Sequence, residues 1–217
     1  MKTRSSSNWS GKPGCFDALN ISGIDFYSDY PCVSSITKPD SYEMVNCNRY
    51  LHINDHSFVS TFVDDYILER YWNNPIKYIE HFKKAKYVMS PDYSLLIGMP
   101  KPMQMWNVYR NRFVGYTWQK YGINVIPTVS WSDAFSFDYC FNGIEYGSTV
   151  CISNIGCTDL KKKSFFDNGF EAMRNAINPK CIVFQCNKKY ISEYKDDRFV
   201  FIDSFWDMKR KQQDNGR

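Results

Sequence analysis

Aspartate recurs in this chain where apolar runs stop. SFVSTFVDD (57–65) ends on Asp64 and Asp65, KYVMSPD (86–92) on Ser90, Pro91 and Asp92, and INVIPTVSWSD (123–133) on Ser130, Trp131 and Asp133. RFVFIDSF (198–205) passes through Asp203 and Ser204, while STVCISNIG (148–156) and CIVFQC (181–186) bring Ser153, Asn154 and Gln185 to the same kind of position. Gathered carboxylates of this type serve two chemistries. Hard oxygen ligands hold a divalent cation, and two carboxyls in unlike surroundings divide acid and base roles. Aspartate and serine are also favoured caps for a helix that follows a strand. Recurrence on one predicted rim favours a site. Asp65, Asp92 and Asp133 are therefore the candidate acid/base residues, with Asp65 and Asp92 the candidate metal ligands.

A second cluster lies in KPMQMWNVYRNRFVGYTWQKYG (101–122). On a helical wheel Met103, Trp106, Tyr109, Phe113 and Val114 form an apolar arc, and Arg110 falls inside it. A buried guanidinium must meet a carboxylate, a group of carbonyls or an anionic ligand, because an unpaired buried charge costs several kcal/mol. Arg110 is a candidate for steadying an anion. Asn107, Asn111, Arg112 and Gln119 flank the arc as an expected polar surface. Asn107, Asn111 and Trp131 are the candidate substrate contacts.

Other chemistries find little support. Cys32, Cys47, His52 and His56 are zinc-ligand types, but their spacing lacks the short two-cysteine knuckle of structural zinc sites. His81 falls mid-helix at an expected exposed position. No glycine-rich phosphate loop, dinucleotide fingerprint, HExxH or nucleophile elbow occurs.

Positioning these residues requires strands that alternate with helices. YILERYWNN and PIKYIEHFKKA (66–85) read as helical, with Asn74 as N-cap and Pro75 at the first turn. The stretch 101–122 reads as a long helix closed by Gly122, and KKSFFDNGFEAMRNAINP (162–179) as another, lined by Phe170, Met173 and Ile177. GIDFYSD (23–29) is a candidate opening strand. Strands apolar throughout, each followed by a helix, indicate a parallel sheet covered on both faces. The expected fold is α/β, a TIM-like or incomplete (β/α) barrel, with an open doubly wound sheet as the alternative. In either, the C-terminal strand ends share the rim that carries the site. One domain over 15–207 is expected, between a loose leader (1–14) and a basic tail (208–217).

A hydrophobic share of 43 % supports a packed core, and a net charge of +4 is too mild to mark a nucleic-acid binder by itself. The start lacks the apolar segment of a signal peptide, and no stretch is long enough to span a bilayer, so a reduced cytoplasmic setting without membrane attachment is expected.

The strings FVDDYILERYWNNPIKY (62–78), VMSPDYSLL continuing to VSW (88–131) and FDYCFNGI (137–144) resemble the uncharacterised family of domain of unknown function 4417, found mostly in phages, plasmids and other mobile elements. The resemblance runs from about residue 57 to 186 and rests on S-P-D-[FY]-S and N-x-Y-R-N-R. It implies a mobile-element origin and a shared α/β core, and it lends no activity. One departure is FQCN (184–187), where a Tyr-Gly strand ending is expected. Two functions stay open. One is an enzyme acting through the rim aspartates, with a divalent cation, on a phosphorylated, nucleotide or nucleic-acid substrate. The other is a non-catalytic protein that binds a host partner, as a host-defence inhibitor or a replication accessory factor.

Overall fold

Strand faces alternate in this protein with a period of two, and in the inner strands both faces are buried. A computed structural model describes residues 26–157 and 159–204. The leader 1–14 and the tail 208–217 lie outside the described residues. After a two-stranded antiparallel hairpin, β1 (Phe26–Tyr27) with β2 (Tyr30–Pro31), come β3 (Glu43–Asn46), β4 (Ser57–Ser60), β5 (Tyr87–Met89) and β6 (Val125–Ile126), paired in that order and all parallel. β7 (Thr149–Ser153), β8 (Cys181–Gln185) and β9 (Phe199–Phe201) form a second parallel sheet, again in chain order. A parallel bridge between Thr128 and Cys151 joins the two. Neither sheet is closed, and neither contains an order reversal.

Phe58, Tyr87, Met89, Ile126, Cys151 and Val183 point to one side and make a single apolar cluster shared by both sheets. The intervening Val59, Val88 and Val125 point the other way, onto Phe113, Val114 and Trp118 of the long helix α3 (Lys101–Lys120). Val150, Ile152, Ile182 and Phe184 do the same against Phe166, Phe170, Met173 and Ile177 of α4 (Leu160–Ile177). This two-sided burial is why the strands read as unbroken apolar runs. α3 ends at Gly122, whose φ of +84° gives the left-handed residue that its C-terminus needs.

Several elements are shorter than their sequences suggest. α1 (Asp65–Asn73) ends at Asn74, which is its C-cap and not the N-cap of a next helix. Residues 75–78 form turns, and α2 spans only Ile79–Phe82. The run 57–65 contributes only β4, and 123–133 only β6 and the Thr128 bridge. Pro127, which has no N–H for a ladder, separates those two pieces. Of the opening candidate at 23–29, residues 23–25 lie outside the described residues and Phe26–Tyr27 form β1 of the hairpin, while the parallel sheet begins at β3.

Candidate functional site at the strand ends

β5 stops because Pro91 cannot donate to the ladder, and side chains take over where the backbone pairing ends. The Ser90 hydroxyl accepts from Thr128 N–H (2.8 Å) and donates to Asn111 Oδ1 (2.9 Å). The Ser90 carbonyl receives the hydroxyls of Thr61 (2.6 Å) and Thr128 (3.2 Å). Asn111 Nδ2 donates to Thr128 Oγ1 (2.6 Å). Ser90, Thr61 and Thr128 are fully enclosed, so each unmade bond would carry a full desolvation penalty.

Arg112 completes this layer. It is 2 % exposed, and it donates through Nη1 to Asn111 Oδ1 (2.7 Å) and the Thr128 carbonyl (3.0 Å). Nη2 donates to the Cys140 carbonyl (2.9 Å) and Nε to the Asn142 carbonyl (2.9 Å). No carboxylate pairs with it directly among the described residues. Burial lowers its pKa to about 10. Asn107, Asn111 and Arg112 are therefore interior groups and not the open polar surface expected beside the apolar arc.

Asp92 stands just beyond Pro91. The Ser130 hydroxyl, from the end of the β6 segment, donates to its Oδ1. Burial pushes the Asp92 carboxyl up from 3.8 to about 6. The Ser130 hydrogen bond pulls against this, the charge of Asp65 adds to it, and the guanidinium of Arg112 opposes it. Ser130 is thus bonded to Asp92, and Asp65 and Arg112 stand near enough for their charges to act on it. A cavity of about 10 Å³, room for a single water, is lined by Ser130, Arg112, Asn107 and Asn111.

Asp65 opens α1, but its carboxylate reaches across to Ser94, accepting from the backbone N–H (3.1 and 3.2 Å) and the hydroxyl (2.9 Å). Asn107 Nδ2 donates to the Ser94 carbonyl (2.7 Å). Arg110 does meet a carboxylate, Glu69 at 2.6 Å, and also donates to Asn107 Oδ1 at 2.6 Å. Its guanidinium lies 4.0 Å from the Tyr93 ring centroid. The buried cation is satisfied largely by structure. Asp133 precedes a short 3-10 helix (Ala134–Asp138) with no side-chain cap bond, and it shares none of the hydrogen bonds that Asp65 makes to Ser94 or Asp92 to Ser130. Trp131 packs on Phe166 and Phe141 beneath α4. Among the described residues no group of three or more His, Cys, Asp or Glu could hold a metal ion. The Cys32, Cys47, His52 and His56 set therefore does not assemble: Cys47 is buried, whereas His52 and His56 are exposed.

Residues 32–204 match the family described as Domain of unknown function (DUF4417). The chain belongs to that family. DUF4417 relatives include the Gene 1 protein of Mycobacterium phage L5, 32 % identical across 96 % of this chain and 94 % of its own length. The Gene 1 protein of Mycobacterium phage D29 is 31 % identical across 97 % of this chain and 80 % of its own. No solved structure matches the chain. This DUF4417 protein is thus of a phage type, and no helix among its described residues is long and apolar enough to cross a membrane.

In DUF4417 terms, S-P-D-Y-S (90–94) supplies Ser90 and Ser94, and N-V-Y-R-N-R (107–112) supplies their partners Asn111 and Asn107, which in turn hold Arg112 and Arg110. The two strings that carry the resemblance are one hydrogen-bonded unit. Sequence reasoning placed Arg112 on an open polar flank and gave Thr128 no part in the site. A helical wheel assumes a wet flank where this helix is enclosed, which hid the first, and the β-branched threonine after Pro127 read as ordinary strand.

Proposed function

We propose that this chain is an enzyme on an incomplete (β/α) barrel, transferring protons at its strand C-terminal ends, with Asp92 as the acid/base group. One observation carries the reading: a carboxyl at that rim, hydrogen-bonded by Ser130 and raised to about 6. A group that titrates near neutrality can both give and take a proton at low cost. The chain-order pairing of both parallel sheets and their shared apolar cluster support the barrel.

The substrate is anionic, a phosphorylated or nucleotide-type molecule. Arg112 supports this choice, because its charge is balanced by carbonyls and an amide instead of a carboxylate, so a positive field reaches the rim. A divalent cation enters this reading only together with substrate phosphates, since Asp65 and Asp92 offer two carboxylates between them. The test is a turnover panel of phosphomonoesters, phosphodiesters and nucleotides with Mg²⁺ over pH 5–8. Wild type converts at least one class, and Asp92→Asn loses about a hundredfold or more. No turnover anywhere in the panel, or an unimpaired Asp92→Asn, removes the proposal.

The second reading, a partner-binding protein acting on a host factor, draws on a different observation. Leu96, Ile97, Met103 and Trp106, on the β5–α3 connection and the first turns of α3, are all exposed. Exposed apolar groups of this kind mark interaction surfaces. Met103→Lys abolishing capture of a host protein while leaving turnover intact would support it.

A further inference from the structure

The connection from β8 to β9, like those from β3 to β4 and from β6 to β7, departs from strand–helix alternation. Instead of a covering helix it has a short 3-10 helix (Lys188–Glu193) and an extended return. Tyr194 from this connection inserts against Phe184 (4.9 Å between ring centroids), Phe170 (5.8 Å) and Phe199 (5.9 Å). A covering helix would fill more space than one tyrosine does. A cleft of about 390 Å³ remains between α4 and the connection, within the range of small-molecule sites.

The charges around this cleft are unequally engaged. Asp167 spends both oxygens, on Lys163 (2.6 Å) and on the Tyr194 hydroxyl (2.9 Å). Asp196 spends both on Arg198. Lys163 is shared between Asp167 and Glu193 (2.8 Å). Arg174 makes one 3.4 Å contact to Glu171 and lies 5.8 Å over the Phe170 ring, and exposed Lys195 has no hydrogen bond or ion pair among the described residues. Two basic groups therefore keep donor capacity beside a partly exposed aromatic wall of Tyr194 and Phe199, while Glu171 keeps acceptor capacity.

We infer that this cleft binds a nucleotide-like ligand, with a planar ring in the corner that Tyr194 and Phe199 form at 75°, flat on one and edge-on to the other, an anionic group on Arg174 and Lys195, and a hydroxyl on Glu171. The basis is stacking plus charge-assisted hydrogen bonding, and neither half suffices alone. The site lies on the outer face of α4, among residues separate from the Asp92 rim, and the inference goes beyond the proposed activity without needing it.

Isothermal titration of the full chain with AMP, adenosine, inorganic phosphate and spermidine tests it. AMP binds, adenosine and phosphate each bind at least tenfold more weakly, and spermidine does not compete. Arg174→Ala and Lys195→Ala each weaken AMP tenfold or more, with unchanged thermal midpoints because both side chains reach solvent. Asp92→Asn leaves AMP affinity unchanged, which separates this cleft from the rim. No AMP binding at 1 mM (roughly the weakest affinity that titration resolves), AMP binding abolished by Asp92→Asn, or tighter binding of spermidine than of AMP would each overturn the inference.

Discussion

Replacing Asp92 by asparagine should stabilise this protein at neutral pH, although Asp92 is the residue proposed for the chemistry. The carboxyl rises from 3.8 to about 6 on folding, chiefly through burial. The folded chain therefore holds a proton more tightly than the unfolded chain, and stability falls as pH climbs between those two values. At 1.36 kcal/mol per pKa unit, the cost at pH 7 and above reaches about 3 kcal/mol, an upper figure because Asp92 retains partial contact with solvent. Asparagine keeps an oxygen to accept from Ser130 and carries no charge to desolvate. Urea unfolding of both proteins at pH 4 and pH 7.5 measures the difference. The expected gain for Asp92→Asn is about 1–3 kcal/mol at pH 7.5, shrinking towards zero at pH 4, where wild type is protonated in its folded state. A variant that is less stable at both pH values, or equally shifted at both, refutes the reasoning and returns Asp92 to an ordinary structural carboxylate.

Arg112→Met removes the donors to the Cys140 and Asn142 carbonyls, while the Thr128 carbonyl keeps Asn111 Nδ2 and Asn111 Oδ1 keeps the Ser90 hydroxyl; at about 1–3 kcal/mol for each buried group left unpaired, a loss of at least about 2 kcal/mol is expected in chemical denaturation. Gly169→Ala reverses the usual helix preference: a methyl there would sit 2.1 Å from the Trp131 indole, so urea unfolding should show a loss of about 1–3 kcal/mol where an open helix site would gain. Glu69→Gln leaves Arg110 without its carboxylate, and a double-mutant cycle with Arg110→Met should give a coupling of about 0.5–3 kcal/mol, since the two touch directly.

The alternation of strands and helices was readable wherever an element is long and two-sided in its packing. Phe170, Met173 and Ile177 mark α4 by spacing alone, and the β-branched, apolar β8 could be nothing but a buried strand. β3 escaped notice because its four residues carry only Met44 and Val45 as apolar signal between Glu43 and Asn46. α3 shows why the wheel failed for Arg112. Wheel reasoning assumes one wet face, and from Asn107 to Trp118 this helix is enclosed on almost every side, so polar residues on its flanks are interior partners. The rim itself was visible as strand-end residues, and Asp92 with Ser130 came from it. Asp65 also belongs there, but its bonds to Ser94 come from a loop fold that spacing does not encode.

The substitution of side chains for ladder at Ser90 has a consequence for how such a protein can change over generations. Ser90, Asn111, Thr128 and Arg112 each satisfy a group belonging to another of the four. A single replacement strands its neighbours, so the four positions form a mutational lock that opens only to concerted change. In a saturation library, tolerated variants at these sites should arrive in compensating combinations, while the neighbouring Val88 and Val125 accept conservative apolar swaps one at a time.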